Sequence, residues 1–182
     1  MPTIYLTFDD GPIQNQTPQI LDILKDNEAR ATFFDVGEYV SSSPHLVGRE
    51  VDEGHSVQNH SYAHEDLTTL TDCEARLSLI RNDRAIVSAG APPPTRVRPP
   101  YGAHDNSVDA LITDEGYNLT FWDIDTDDWN NEPPDYIFHA VLDNAFDEAV
   151  VVFHDHGEHT VEALPQVIAA LKEGGYDFGV LT

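Results

Sequence analysis

The segment YLTFDDGP sets two adjacent aspartates, Asp9 and Asp10, at the end of a run of strand-forming residues. Further along, NHSYAH carries His60 and His64, RPPYG begins at Arg98, DTDDW carries Asp125 and Asp128, and VVFHDH carries His154. The H-x-x-x-H spacing suits two imidazoles on one face of a helical turn, aimed at one metal ion. A carboxylate completes a two-histidine, one-carboxylate set that leaves coordination positions open for chemistry. Either Asp9 or Asp10 can supply it. Each residue also has a plainer reading. Arg98 can be a salt bridge in an acid-rich chain, and His154 a core histidine after a buried run. Asp123, Asp125, Asp127 and Asp128 can be solvated surface acids.

Acids are abundant enough to blunt any single Asp motif. The chain has 33 Asp and Glu against 9 Lys and Arg, a net charge of −24. Such a surface repels phosphate backbones and anionic lipids, which makes nucleic acid and membrane poor partners. The acids are dispersed rather than gathered in a tail, and the only lysines are Lys25 and Lys172. This composition points to a halophilic protein, because concentrated salt screens self-repulsion. The single cysteine, Cys73, excludes an internal disulfide and any all-thiolate metal site. No apolar run approaches the length of a membrane span. The start, MPTIYLTF, lacks a basic n-region, so no signal peptide is visible. The compartment is left open between the cytoplasm and, with a leader or parent chain, a cell surface or virion.

The elements that must position these residues alternate. Strands are expected at 3–8, 31–36, 55–59, 96–98, 117–124, 149–153 and 176–181. Helices are expected at 17–27, 44–53, 71–88 with Thr71 as cap, 106–115, 133–146 and 160–173. The residues 1–182 read as one α/β domain of about seven parallel strands, either a barrel or an open doubly wound sheet. Both architectures place their site at the carboxyl ends of the strands. The acids, histidines and arginine named above fall at five such ends. His45, His104 and His139 fall in helices or loops and read as surface residues.

The ordered set of motifs resembles the polysaccharide deacetylase family, the NodB-homology domain of carbohydrate esterase family 4. TFDDGP, ATFFDVG, GHSVQNHSYAHEDL, RPPYG, DTDDW and VFH are similar to its motifs, in order, across essentially the whole chain. The resemblance implies an irregular (β/α) barrel and metal-dependent removal of N- or O-acetyl groups from an acetylated oligo- or polysaccharide. By position, Asp10, His60 and His64 would hold a divalent metal, zinc in the first place, with cobalt, nickel or manganese as alternatives. Asp9 would be the general base acting on metal-bound water, aimed by Arg98. His154 would be the general acid, paired with Asp128. The Tyr101 backbone N–H would help hold the oxyanion, while Trp129 and Val152 would wall the acetyl pocket. Val152 departs from the family's usual leucine. His156 and His159 are additional histidines, read as loop residues or as contacts to substrate or a second metal. Two other readings stand beside this one: a hydrolase of small linear or cyclic amides from the same superfamily, and a glycan-binding or structural module without turnover.

Overall fold

A computed structural model describes residues 1–182. Strand β1 (Thr3–Gly11) is central, flanked by β2 (Ala31–Asp35) on one side and β7 (Val150–His154) on the other. Beyond β2 lie β3 (Ser56–Asn59), β4 (Arg96–Val97) and β5 (Asn118–Leu119), and beyond β7 lies β6 (Ile124–Asp125). All these pairings are parallel, and β8 (Asp177–Phe178) pairs with the start of β1.

The expected strand 117–124 is in fact two strands, and the break explains the curl of the sheet. Strands β5 and β6 sit at opposite ends of the strand order, yet only Thr120–Asp123 separates them. A flat sheet of seven strands would hold its edges about 29 Å apart, six intervals of ~4.8 Å. Five residue steps reach at most about 18 Å. The edges are therefore drawn together, and the sheet closes into an irregular half-barrel. The Thr120 N–H donates to the Val97 carbonyl and the Asp123 N–H to that of Val150, so each end of the bridge is tied to its own edge.

Alternation along β1 sorts two environments. Ile4, Leu6 and Phe8 face outward into the main core, where Phe8 stacks between Phe33 and Phe153 at 5.2 and 5.3 Å. Helices α1 (Thr17–Asp26), α6 (Pro134–Leu142) and α7 (Thr160–Glu173) cover this face with Leu21, Leu24, Ile137, Val141, Leu164 and Ile168. Each such side chain contributes roughly 1.5–3 kcal/mol by leaving water. Thr7 and Asp9 have the opposite parity and point into the barrel. The other helices lie on the β2–β5 side: α2 (Gly37–Ser42), α3 (Pro44–Asp52), α4 (Asp72–Ser88) and α5 (Asn106–Asp114). Thr71 caps α4 with a full capping box to Glu74, as its sequence suggests. Helix α2 is not expected from sequence, being six residues that begin with glycine. No helix is long and apolar enough to cross a membrane.

Candidate active site

In a regular strand Asp9 and Asp10 would point to opposite faces, and only one could reach a common site. A β-bulge removes the conflict. Asp9 pairs with Phe34 and Gly11 with Asp35, so Asp10 is left over, with φ at 71°. Both carboxylates then enter the same cavity. The bulge, rather than a turn at Gly11-Pro12, brings them together. Gly11 is needed for a different reason: a Cβ there would sit 2.5 Å from Asp155 Oδ2.

His60 and His64 lie in the irregular loop after β3, not on the helical turn expected from their spacing. Ser61 and His64 have φ of 65° and 55°, and this left-handed backbone cannot continue a helix. Side chains and α2 hold the loop in place. Asn59 Oδ1 accepts the Ser61 N–H at 2.8 Å and is steadied by Asn82 at 3.0 Å. The Gly37 and Glu38 N–H groups, which open α2, donate to the Ser61 and Tyr62 carbonyls. His60 Nδ1–H donates to the Arg98 carbonyl at 2.6 Å, which fixes the tautomer and leaves Nε2 unprotonated toward Asp10.

Asp10 Oδ1 lies 3.2 Å from His60 Nε2 and 2.9 Å from His64 Nε2. Although buried, this oxygen has no hydrogen bond of acceptable geometry. Three donor atoms thus converge within 4.8 Å of one another without satisfying one another. That is the arrangement expected of ligands waiting for a cation, and the donor set suits a divalent transition ion. Burial pushes the Asp10 carboxyl upward, but the hydrogen bond from His156 and the close His60 and His64 imidazoles outweigh it and hold Asp10 far below the usual carboxylate range.

Arg98, wholly buried, closes the barrel beneath these ligands. It donates to Asp9 Oδ1 at 2.7 Å, to Thr7 Oγ1 at 2.8 Å and to the Phe121 carbonyl at 2.9 Å. Its guanidinium rests on the Phe34 ring, 4.1 Å from the centroid. Across β1, on β7, His154 Nδ1–H donates to Asp128 Oδ1 at 2.7 Å. Asp128 Oδ2 accepts the His154 backbone N–H at 2.8 Å and the Thr160 hydroxyl at 2.5 Å. Burial disfavours the imidazolium, yet the Asp128 hydrogen bond and the charges of Asp128, Asp9 and Asp10 raise His154 to about 9.

Asp9, Asp10, His60, His64 and His154 line one cavity of about 400 Å³, together with Tyr101, Gly102, Trp122, Asp125, Trp129 and His156. Tyr101 and Trp129 are 69% and 55% exposed at its rim. A family model described as polysaccharide deacetylase matches residues 1–120. The chain belongs to the polysaccharide deacetylase family. It is 38% identical over 175 residues to the peptidoglycan-N-acetylglucosamine deacetylase PgdA of Listeria monocytogenes, covering 96% of this chain and 37% of that protein. A chitooligosaccharide deacetylase of Bradyrhizobium is 35% identical over 190 residues, covering 96% of this chain and 87% of that protein. A family 4 carbohydrate esterase from Streptomyces lividans, solved in complex with acetate, superposes with a TM-score of 0.95. It is 34% identical and covers 100% of this chain and 93% of that one. The chain thus spans little more than a third of the Listeria protein's length.

Within this deacetylase-family domain the structure brings Asp9, Asp10, His60, His64, Tyr101, Trp129 and His154 to the cavity itself. Arg98 and Asp128 stand directly behind Asp9 and His154. Val152 does not line the cavity. It is buried in β7, in register with Thr7 on one side and Asp125 on the other. His159 precedes α7 and turns to Glu162 at 3.5 Å, outside the cavity. His45, His104 and His139 are exposed, as expected. Trp122 lines the cavity without having been given a role there by the sequence, and His156, read as a loop residue or a contact to substrate or a second metal, lines it from a loop. Trp122 lies in the barrel-closing bridge, which reads as strand. His156 lies in a loop with no periodic signal at all.

Proposed function

We propose that this domain hydrolyses the acetyl group from N-acetylglucosamine units of a cell-wall-type glycan. The observation that carries this reading is the separation of three kinds of group around one cavity. A three-ligand cluster, Asp10, His60 and His64, lies toward the β3 edge. Asp9, backed by Arg98, sits in the middle on β1. His154, backed by Asp128, stands on the β7 side. The histidine–carboxylate cluster is the place for a divalent cation, zinc by preference, which when bound supplies Lewis acidity to polarise an acyl oxygen and acidify water.

The chain's own residues divide the proton work. Asp9 Oδ1 is occupied by Arg98, so Oδ2, which makes no hydrogen bond, is the atom left to accept a proton from water. His154 is protonated at neutral pH, and with Nδ1 committed to Asp128 its Nε2–H is the one available to the departing nitrogen. An amide nitrogen leaves poorly without that proton. The Tyr101 N–H, in a residue turned to φ 62°, is our candidate for the second donor to the developing oxyanion. The Trp129 indole is our candidate for the wall against the acetyl methyl, and the exposed Tyr101 ring for a face against sugar.

Acetate release from N-acetylglucosamine oligomers, with and without a chelator, tests this reading. Activity is expected to vanish on chelation and return with zinc; turnover that survives complete metal removal would sink it. We also propose concentrated salt as the working medium, on the strength of the −24 charge. A melting temperature that fails to rise between 0.1 M and 2 M KCl, where the Debye length falls from about 10 Å to under ~3 Å, would count against this.

A further inference from the structure

Two residues beyond His154, His156 reaches back across β1. Its Nε2 lies 2.7 Å from Asp10 Oδ2, the oxygen of that carboxylate that does not face His60 and His64. Since an ionised carboxylate can only accept, Nε2 carries the proton and donates. One carboxylate is therefore held at both ends. Oδ1 points at the two other ligand atoms, and Oδ2 is tied to His156.

The backbone around His156 is built to hold it there, although the side chain is partly exposed. On one side the Asp155 N–H donates to the Asp9 carbonyl at 2.9 Å, and the Thr17 hydroxyl donates to Asp155 Oδ2. On the other side the Gly157 N–H donates to the His154 carbonyl at 3.1 Å, and Gln16 Nε2 donates to the Gly157 carbonyl at 3.1 Å. Gly157 allows this approach, because a Cβ there would lie 2.7 Å from Asp128 Oδ2. The His156 ring also lies beside His154, centroids 5.5 Å apart. A histidine on a freely moving loop would have none of these anchors.

We infer that His156 is a positioning residue for the metal site: its Nε2–H holds Asp10 so that only Oδ1 is presented as a ligand. Asp10 otherwise stands on a bulge, in a left-handed backbone, with no strand partner to fix it. Without His156, its carboxylate can rotate about its terminal bond and must be ordered again whenever the cation binds. Partners of this kind, which orient a ligand from behind, typically alter metal affinity by about 10–100-fold. This inference rests on the proposed cation at Asp10, His60 and His64, but needs no turnover to be tested.

The test is zinc affinity, measured by competition with a chromophoric chelator on the metal-free chain of residues 1–182. His156→Ala is expected to weaken zinc binding by about 10–100-fold. His156→Gln keeps an N–H donor near the same place and is expected to recover most of that loss, with an unchanged cobalt(II) absorption spectrum. The metal-free melting temperature should be nearly the same in all three proteins. Wild-type affinity in His156→Ala would overturn the inference while leaving the metal site standing. Equal losses in both variants with an altered cobalt spectrum would overturn it too, by showing that His156 binds the ion itself. A wild-type chain that takes up no zinc would overturn both the inference and the metal-dependent reading beneath it.

Discussion

Two groups of buried acids meet at the carboxyl end of the central strands, on opposite faces of the same sheet. On the inner face Asp9 has Arg98, and Asp10 has three imidazoles. On the outer face, beneath α1 and α3, Asp35, Glu50 and Asp155 are fully buried and no cation pairs with them. Both carboxylate oxygens of Asp35 and of Glu50, and Oδ1 of Asp155, lack donors when all three are ionised. For the outer acids burial favours the protonated form. Burial raises Glu50 and Asp155 well above the ordinary range. Asp35 is raised as well, its burial partly offset by a hydrogen bond from neutral Glu50. The difference teaches what decides the fate of a buried carboxyl here. The inner acids have cationic or imidazole partners at hydrogen-bond distance, the outer ones have none, and burial without such partners favours the neutral form.

Removing an inner acid should have the largest consequence. Asp9→Asn keeps the shape and the Arg98 contact through its amide oxygen but cannot take a proton. Its kcat for acetate release is expected to fall by about 10²–10⁴; a fall under tenfold would show that the proton goes elsewhere. Arg98→Met tests the compensation itself. It leaves Asp9 buried without its cation, and a loss of about 3–5 kcal/mol in urea unfolding is expected. A loss below ~1 kcal/mol would mean that Asp9 does not depend on Arg98.

The sequence made the inner group partly legible and the outer group not at all. Strand ends near Asp9, His60, Arg98, Asp125 and His154 follow from β-branched and aromatic runs closed by Gly, Pro or His, and that pattern carries the parallel α/β sheet, while barrel closure comes only with the resemblance to the family. How Asp9 and Asp10 share a site was invisible, because a bulge depends on which neighbour each residue pairs with. The same holds for the histidines, whose spacing imitates a helical turn while Asn59, Asn82 and α2 hold a loop. The bridge 120–123 reads as strand because Phe121 and Trp122 are strand formers, yet its two ends belong to opposite edges of the sheet. Asp35 and Glu50 sit in ATFFD and REVD with nothing local to mark them as buried. In a chain with 33 acids, composition hides the few that matter.

The two groups should also separate by pH. His154 has a folded pKa raised to about 9, so the protonated acid persists below that value and is lost above it. An alkaline fall in kcat/KM near pH 9 is expected, and Asp128→Asn should move it to lower pH by removing the partner that raises it. An unmoved limb would release His154 from the assignment. The smallest effect is expected at Glu50. Its folded pKa lies above its unfolded one, so its contribution to stability is full below about pH 4.5 and is lost as pH rises through the folded value. Glu50→Gln cannot titrate and should match wild type near pH 4. It should then become progressively more stable than wild type as pH rises above about 4.5, read from thermal or urea unfolding. A gap that stays constant with pH would mean that Glu50 holds no extra proton.

The division of labour between the adjacent aspartates, Asp10 for the cation and Asp9 for the proton, is tested most directly by zinc titration of two single variants beside the wild type. One tightly bound zinc per chain is expected in wild type and in Asp9→Asn, and none in Asp10→Ala. Tight zinc in Asp10→Ala, or its loss from Asp9→Asn, would contradict that division.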